Sequence, residues 1–158
     1  MKLKYYQLKK NENYEYLGFK QNNAFNHTEL KKNTSSEFYK RMRKLVKSQL
    51  NGRNLFRAIN SYAISVLNFS FGIICWSKTD LEDLEKNSRK ILAKFKKHNP
   101  HSAIQRITLP RYMGGRGMTD LKTLHEKQVS LLRKYFYEKR NNSNLHNVIV
   151  SFDQKFTP

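Results

Sequence analysis

Between residues 40 and 53 the sequence holds six basic side chains and no acidic one, and between 86 and 97 the same pattern recurs. In the first run Lys40, Arg43, Lys44 and Lys47 follow one another at helical spacing, with Arg53 just beyond. In the second, Lys86, Lys90, Lys94 and Lys97 do so. Ordinary protein surfaces intersperse both signs. Two acid-free runs in a small chain therefore point to a surface that tracks phosphates rather than to a merely solvated face. A third stretch, RITLPRYMGGRGMTDL (residues 106–121), sets Arg111 and Arg116 around glycines directly before a helical pattern. A helix start offers free backbone donors to a phosphate, and glycines let it come close. Guanidinium groups add bidentate contacts. Gly-Gly before a helix is also an ordinary turn. No Lys-Ser or Lys-Thr follows the glycines, so the stretch is not a P-loop. The residues leave phosphate contact and plain turn both open.

Other chemistry is thinly represented. The sequence contains no convincing acid–base pair and no nucleophile triad, so no catalytic residue is assigned. His98 and His101 flank Pro100, but no cysteine or carboxylate stands at metal-ligand spacing beside them, and neither a metal nor a cofactor is expected. Cys75 is the only cysteine, which excludes an internal disulfide; beside Trp76 it reads as a small buried side chain. The net charge of +19 on 158 residues argues for a polyanionic partner. Nucleic acid is the first candidate, RNA or DNA, and a membrane surface the second. The most apolar run, YAISVLNFSFGIICW (62–76), is too short to span a bilayer comfortably and carries Ser65, Asn68, Ser70 and Gly72. A buried helix is the better reading, and no membrane partner is expected. MKLKYYQLKK lacks the apolar centre of a signal peptide, so the expected location is intracellular, nuclear or cytoplasmic, and not secreted.

These residues must be positioned by a mainly α (α+β) fold. Residues 2–8 and 14–19 read as two strands of an N-terminal β-hairpin around the polar turn 10–13, and residues 20–34 as a polar loop. About four helices follow. The first is expected from about Ser36 to Leu50, with Phe38, Met42, Leu45 and Val46 on its apolar face and Asn51-Gly52 as its stop. The second, about 53–75, is apolar nearly all round and so should be central and buried. The third starts at Thr79, where TDLE (79–82) has the form of a capping box, and ends at Pro100. Its stripe is Leu81, Leu84, Ile91, Leu92 and Phe95. The fourth starts near Thr119 or Asp120, with Leu121, Leu124, Gln128, Leu131, Leu132 and Tyr135 along one face. NLHNVIVSF, after Asn141, reads as a short helix or strand.

Three segments in order resemble the reverse transcriptases of non-LTR, LINE-type retrotransposons. YEYLGF (14–19) is similar to the segment after the catalytic strands. AINSYAISVLNFSFGIICWSKTDLEDLEKNSRKIL (58–92) resembles the thumb. RITLPRYMGGRGMTDL resembles the Leu-Pro, then Gly-Gly-x-Gly-Leu stretch that follows it, with Met118 in place of the usual Leu. The likeness spans roughly residues 14–136. It implies three parts: 1–34 as the end of a palm, 35–98 as a thumb-like bundle, and 99–158 as a post-thumb linker. It also implies a primer-grip-like role for Tyr16, Leu17, Gly18 and Phe19. The basic set Arg43, Lys44, Lys47, Arg53, Lys86, Lys90, Lys94, Lys97, Arg111 and Arg116 would then hold a primer–template duplex by its backbone. Contacts to phosphate and sugar ignore base identity, and an RNA–DNA hybrid offers a wide, shallow minor groove. Polymerases of this family hold metal ions with an Asp-Asp pair; this chain has no Asp-Asp dipeptide. The expectation is a fragment of an RNA-directed DNA polymerase that binds nucleic acid and is no enzyme by itself, with the remainder of the polymerase as a possible partner. A self-standing basic helical RNA-binding domain and the product of a decayed transposable element are the alternatives.

Overall fold

The computed structural model describes residues 14–16, 19–21 and 26–156, and the chain is mainly helical. Two three-residue strands, β1 (Tyr14–Tyr16) and β2 (Phe19–Gln21), pair antiparallel with Tyr16 opposite Phe19. The single strand expected over 14–19 is therefore two strands paired with each other. The partner strand expected at 2–8 lies outside the described residues, as do Leu17 and Gly18 of the primer-grip-like set.

Helix α1 runs from His27 to Lys47. It begins nine residues earlier than Ser36 and crosses the division placed after residue 34. Asn26 caps it, accepting a hydrogen bond from the Glu29 N–H. Its inward stripe is Leu30, Thr34, Phe38, Met42 and Val46, one residue every four. Leu45, expected on that face, is only partly buried. The extra turns went unread because one inward position is a threonine, which gives no hydrophobic signal while burying its methyl.

The next helical run is continuous in three parts: α2 (Gly52–Ala58), a π-helical segment (Ile59–Ala63) and α3 (Ile64–Ser70). Asn51 caps it through the Asn54 N–H. The π segment shows as the Ile64 N–H reaching back five residues to the Ile59 carbonyl. The run is central, packing on α1 and touching α6. It is not buried all round, and it stops at Ser70 rather than 75. Leu55, Phe56, Ile59, Ala63, Ile64 and Leu67 point inward, whereas Tyr62 and Phe69 face out, Phe69 at 51% exposure. Apolar composition overstated its burial. In the turn that follows, Cys75 is exposed, contrary to expectation, while Trp76 is buried and donates to the Ser70 hydroxyl.

Helix α4 spans Lys78–Lys94. Its capping box is Ser77 with Asp80, not Thr79 with Glu82: the Ser77 hydroxyl accepts from the Asp80 N–H, and the Asp80 carboxylate accepts from the Ser77 N–H. Thr79 lies inside the helix and shares a hydroxyl contact with Ser77. At the other end Lys96 takes φ 55°, with bonds from the Lys96 N–H to the Ala93 carbonyl and from the Lys97 N–H to the Leu92 carbonyl. That is a Schellman turn. It ends the helix before Pro100 is reached. Leu81, Leu84, Ser88 and Leu92 form the buried stripe, a serine again standing where the apolar pattern has a gap.

After α4 come α5 (Gln105–Thr108), a 3₁₀ turn (Arg111–Met113), α6 (Leu121–Glu138), a second 3₁₀ turn (Arg140–Asn142) and α7 (Asn144–Phe156). Asp120 caps α6 through the Thr123 N–H, at the start expected. The segment after Asn141 is helix. Of the α6 face, only Leu121 is buried; Leu131, Leu132 and Tyr135 are exposed by 42–50%. A single core joins Leu30 of α1 to Ile107, Met118 and Leu121, so the 106–118 loop packs into the same interior as α1–α4. Among the described residues no helix is long and apolar enough to cross a membrane.

Candidate nucleic-acid interface

Helices α1 and α4 pack side by side. Their apolar stripes turn inward, so their basic faces turn out together. Arg43 and Lys47 of α1 and Lys90 and Lys94 of α4 line one open depression of about 330 Å³, floored by Ile91 and Phe95. Two runs separated by some forty residues of sequence thus form one positive surface, and no acid lines it. Arg43 is steadied over the Tyr39 ring, 6.0 Å from its centroid. Lys44 and Lys86 are exposed on the same helices but outside the depression; Lys97 lies in the turn after α4.

The two other cations of the first run are otherwise engaged. Lys40 and Arg41 pair with Glu37 at 3.6 and 3.0 Å. Arg41 also donates to the Tyr62 carbonyl and covers its ring. The Arg41 hydrogen bond, joined by Lys40, outweighs desolvation and lowers the Glu37 carboxyl below its ordinary range. None of the ten cations named from the sequence enters an ion pair among the described residues.

A second depression, of about 520 Å³, gathers Arg53, Arg57, Arg111 and Arg116 with Phe56, Tyr112 and Gly117. The loop that builds it is tightly specified. The Arg116, Gly117 and Met118 N–H groups donate to the carbonyls of Arg106, Leu109 and Ile107 at 2.8–2.9 Å. Gly114 and Gly117 take φ of 79° and 72°, which glycine adopts freely. A Cβ on Gly115 would stand 1.9 Å from the Leu109 carbonyl oxygen, so the glycine is required by close backbone approach. One side chain fastens the loop to the central helix. Asn60, in the π segment, donates through Nδ2 to the Gly117 carbonyl at 2.8 Å and accepts the Thr119 N–H on Oδ1 at 3.0 Å. The Arg116 and Arg111 guanidiniums then hang 3.6 and 4.0 Å from where a Gly52 Cβ would be, over the start of α2.

The glycines therefore do turn the chain, and the turn delivers arginines to a shared cleft. Sequence reasoning missed Arg57 and Tyr112. Arg57 follows Arg53 by four residues, one helical turn, and that spacing was the available signal. Nothing in the sequence distinguished Tyr112, which stands 86% exposed.

The positive field reaches His98. His98 is buried, and desolvation, then the charges of Arg116, Arg106 and Arg89, hold its imidazole below the usual range. Its Nε2 bonds the Ser102 hydroxyl at 2.8 Å. Glu85 is raised by burial and by Asp120. Tyr16 pairs with Phe19 in the β1–β2 ladder; of the ten cations, seven line the two depressions, and Lys44, Lys86 and Lys97 lie outside them. No protein-family model, characterised protein or solved structure matches the chain.

Proposed function

We propose that the protein holds a primer–template duplex, RNA–DNA hybrid in the first instance, by its sugar–phosphate backbone, as the thumb-like part of a non-LTR retrotransposon reverse transcriptase. In this reading an N-terminal β-hairpin is the end of a palm, α1–α4 are the thumb, and the segment from residue 99 is the post-thumb linker. The observation that carries it is the α1–α4 depression, where Arg43, Lys47, Lys90 and Lys94 converge with no acid among them. Charges on two helices at one concave site suit the paired phosphates of a helical rod. Ile91 and Phe95 between them suit an apolar contact with the sugars. Contacts from these cations to phosphate and sugar carry no sequence information, so recognition is expected to be sequence-neutral.

The chain does no chemistry alone, because nothing in its sequence supplies the carboxylate set that a two-metal mechanism needs. Incubation with primer–template, Mg²⁺ and dNTPs is expected to give no extension above buffer. Hybrids of unrelated sequence are expected to bind with closely similar affinity. Strong preference for one sequence, or metal-dependent extension, would overturn the proposal. The shared core running from Leu30 to Leu121 favours a second reading, a self-standing basic helical RNA-binding domain. Clear preference for double-stranded RNA over the hybrid would select it.

A further inference from the structure

We infer that the arginine cleft binds a single-stranded extension of the duplex held between α1 and α4, with one base stacked on Tyr112. The inference rests on the duplex reading above and assigns the cleft a separate ligand. The two depressions differ in chemistry. The α1–α4 depression is mostly lysine, a set of point charges suited to following a backbone. The cleft offers four guanidiniums, Arg53, Arg57, Arg111 and Arg116, whose planar forks grip individual phosphates bidentately. Its volume of about 520 Å³ is in the range of small-ligand sites. A flexible strand can place one phosphate there.

Tyr112 supplies what phosphate binding alone does not need. It sits in the 3₁₀ turn at the cleft, 86% exposed, on a loop whose fold is fixed by backbone bonds and Asn60. A solvent-facing ring on a well-bonded turn beside an arginine cluster is an arrangement that stacks unpaired bases. The interior bases of a duplex are already stacked on one another and have no free face to offer it. The two sites are also close. Lys47 lines one depression and Arg53 the other, and the six residue steps from one to the other reach at most about 22 Å when fully extended. A strand leaving the duplex meets the cleft within a few nucleotides.

The test is equilibrium binding at one fixed salt concentration. The probes are a blunt RNA–DNA hybrid, the same hybrid with a short 5′ or 3′ extension, and the extension as a free oligonucleotide. Extended hybrid is expected to bind about tenfold tighter than blunt hybrid, the size of one stacked base. Tyr112→Ala should remove that increment and leave blunt binding unchanged, while Tyr112→Phe should keep it. Exposure of Tyr112 makes folding of both variants a safe control, read by circular dichroism. The double variant Arg111→Gln, Arg116→Gln should lose the increment as well. Equal binding of blunt and extended hybrids overturns the inference and leaves the duplex reading standing. A Tyr112→Ala variant that weakens both equally also overturns it. If blunt hybrid fails to bind while the free oligonucleotide binds through Tyr112, the cleft assignment holds and the duplex reading falls. If no probe binds, both fall.

Discussion

Neutralising three lysines of the α1–α4 depression gives a measurable electrostatic signature. The perturbation is Lys47→Gln, Lys90→Gln and Lys94→Gln in one chain. All three side chains are exposed, and none enters an ion pair among the described residues. Glutamine keeps half of each aliphatic stem and the positions are exposed, so folding should survive. Arg43 is left in place because it packs on Tyr39. Each phosphate neutralised contributes about −0.9 to the slope of log K against log salt on a duplex. Four cations in the depression, with one or two flanking ones such as Lys97, give a wild-type slope of roughly −5. At that slope, raising salt from about 50 to 200 mM weakens binding by about 10³-fold. Loss of three contacts should leave a slope of roughly −2 and a salt penalty of only about 20-fold. The assay is a salt titration by fluorescence anisotropy on two RNA–DNA hybrids of unrelated sequence, with a thermal melt as folding control. Losses should match on both sequences. Lys44→Gln with Lys86→Gln, outside the depression, should change the slope by less than about one unit. A triple variant that is folded and has the wild-type slope would remove the depression from the binding surface, and with it the physical basis of the proposed function.

Four further outcomes concern the scaffold. Ser77→Ala should cost about 1 kcal/mol by removing the cap of α4, and Thr79→Ala clearly less; equal losses in chemical denaturation would contradict the capping assignment. Ile64→Ala should cost roughly 2–5 kcal/mol, since that side chain is fully buried in the common core. Gly115→Ala should cost about 1–3 kcal/mol by overpacking against the Leu109 carbonyl, and a melting temperature equal to wild type would show that the loop yields at no cost. The Asp80 carboxyl is pushed up by partial burial, but its bonds to Lys31 and Ser77 more than offset this and bring it to about 2, below the usual 3.8. A carboxyl depressed in the folded state stabilises fully above its unfolded value, so this contribution should be intact above about pH 4 and fade as pH falls towards 2. A third of the Asp80 side chain is exposed, which screens the pair, so about 1 kcal/mol is expected; an Asp80→Asn variant with an unaltered acid limb would refute it.

Legibility in the sequence followed the strength of local signals. Asp120 announced the start of α6 because a capping side chain before an apolar repeat acts within one turn. The faces of α1 and α4 were legible for the same reason, since helical periodicity dictates what lies opposite what. The first turns of α1 were not, because Thr34 fills an inward position that periodicity assigns to an apolar residue. Tyr62 and Phe69 misled in the opposite sense: large apolar side chains suggested burial, and the packing of neighbours left them outside. Three of the four cleft arginines stood out as cations, yet their convergence depended on Asn60, whose partners lie 57 and 59 residues further on. A contact at that separation leaves no periodic trace.

That separation also orders events during synthesis. Asn60 leaves the ribosome long before the Gly117 carbonyl and the Thr119 N–H that it will bind. Helices α1 to α4 are complete by Lys94 and bring most of the core together, so they can collapse while the half-buried Asn60 amide is still hydrated. The loop arrives later, and its internal bonds between Arg106 and Met118 cannot close until Met118 has been made. It is fastened when Asn60 exchanges water for those two partners. The arginine cleft is then the last surface of this region to exist on a growing chain, and a nascent protein acquires the α1–α4 depression before it acquires the cleft.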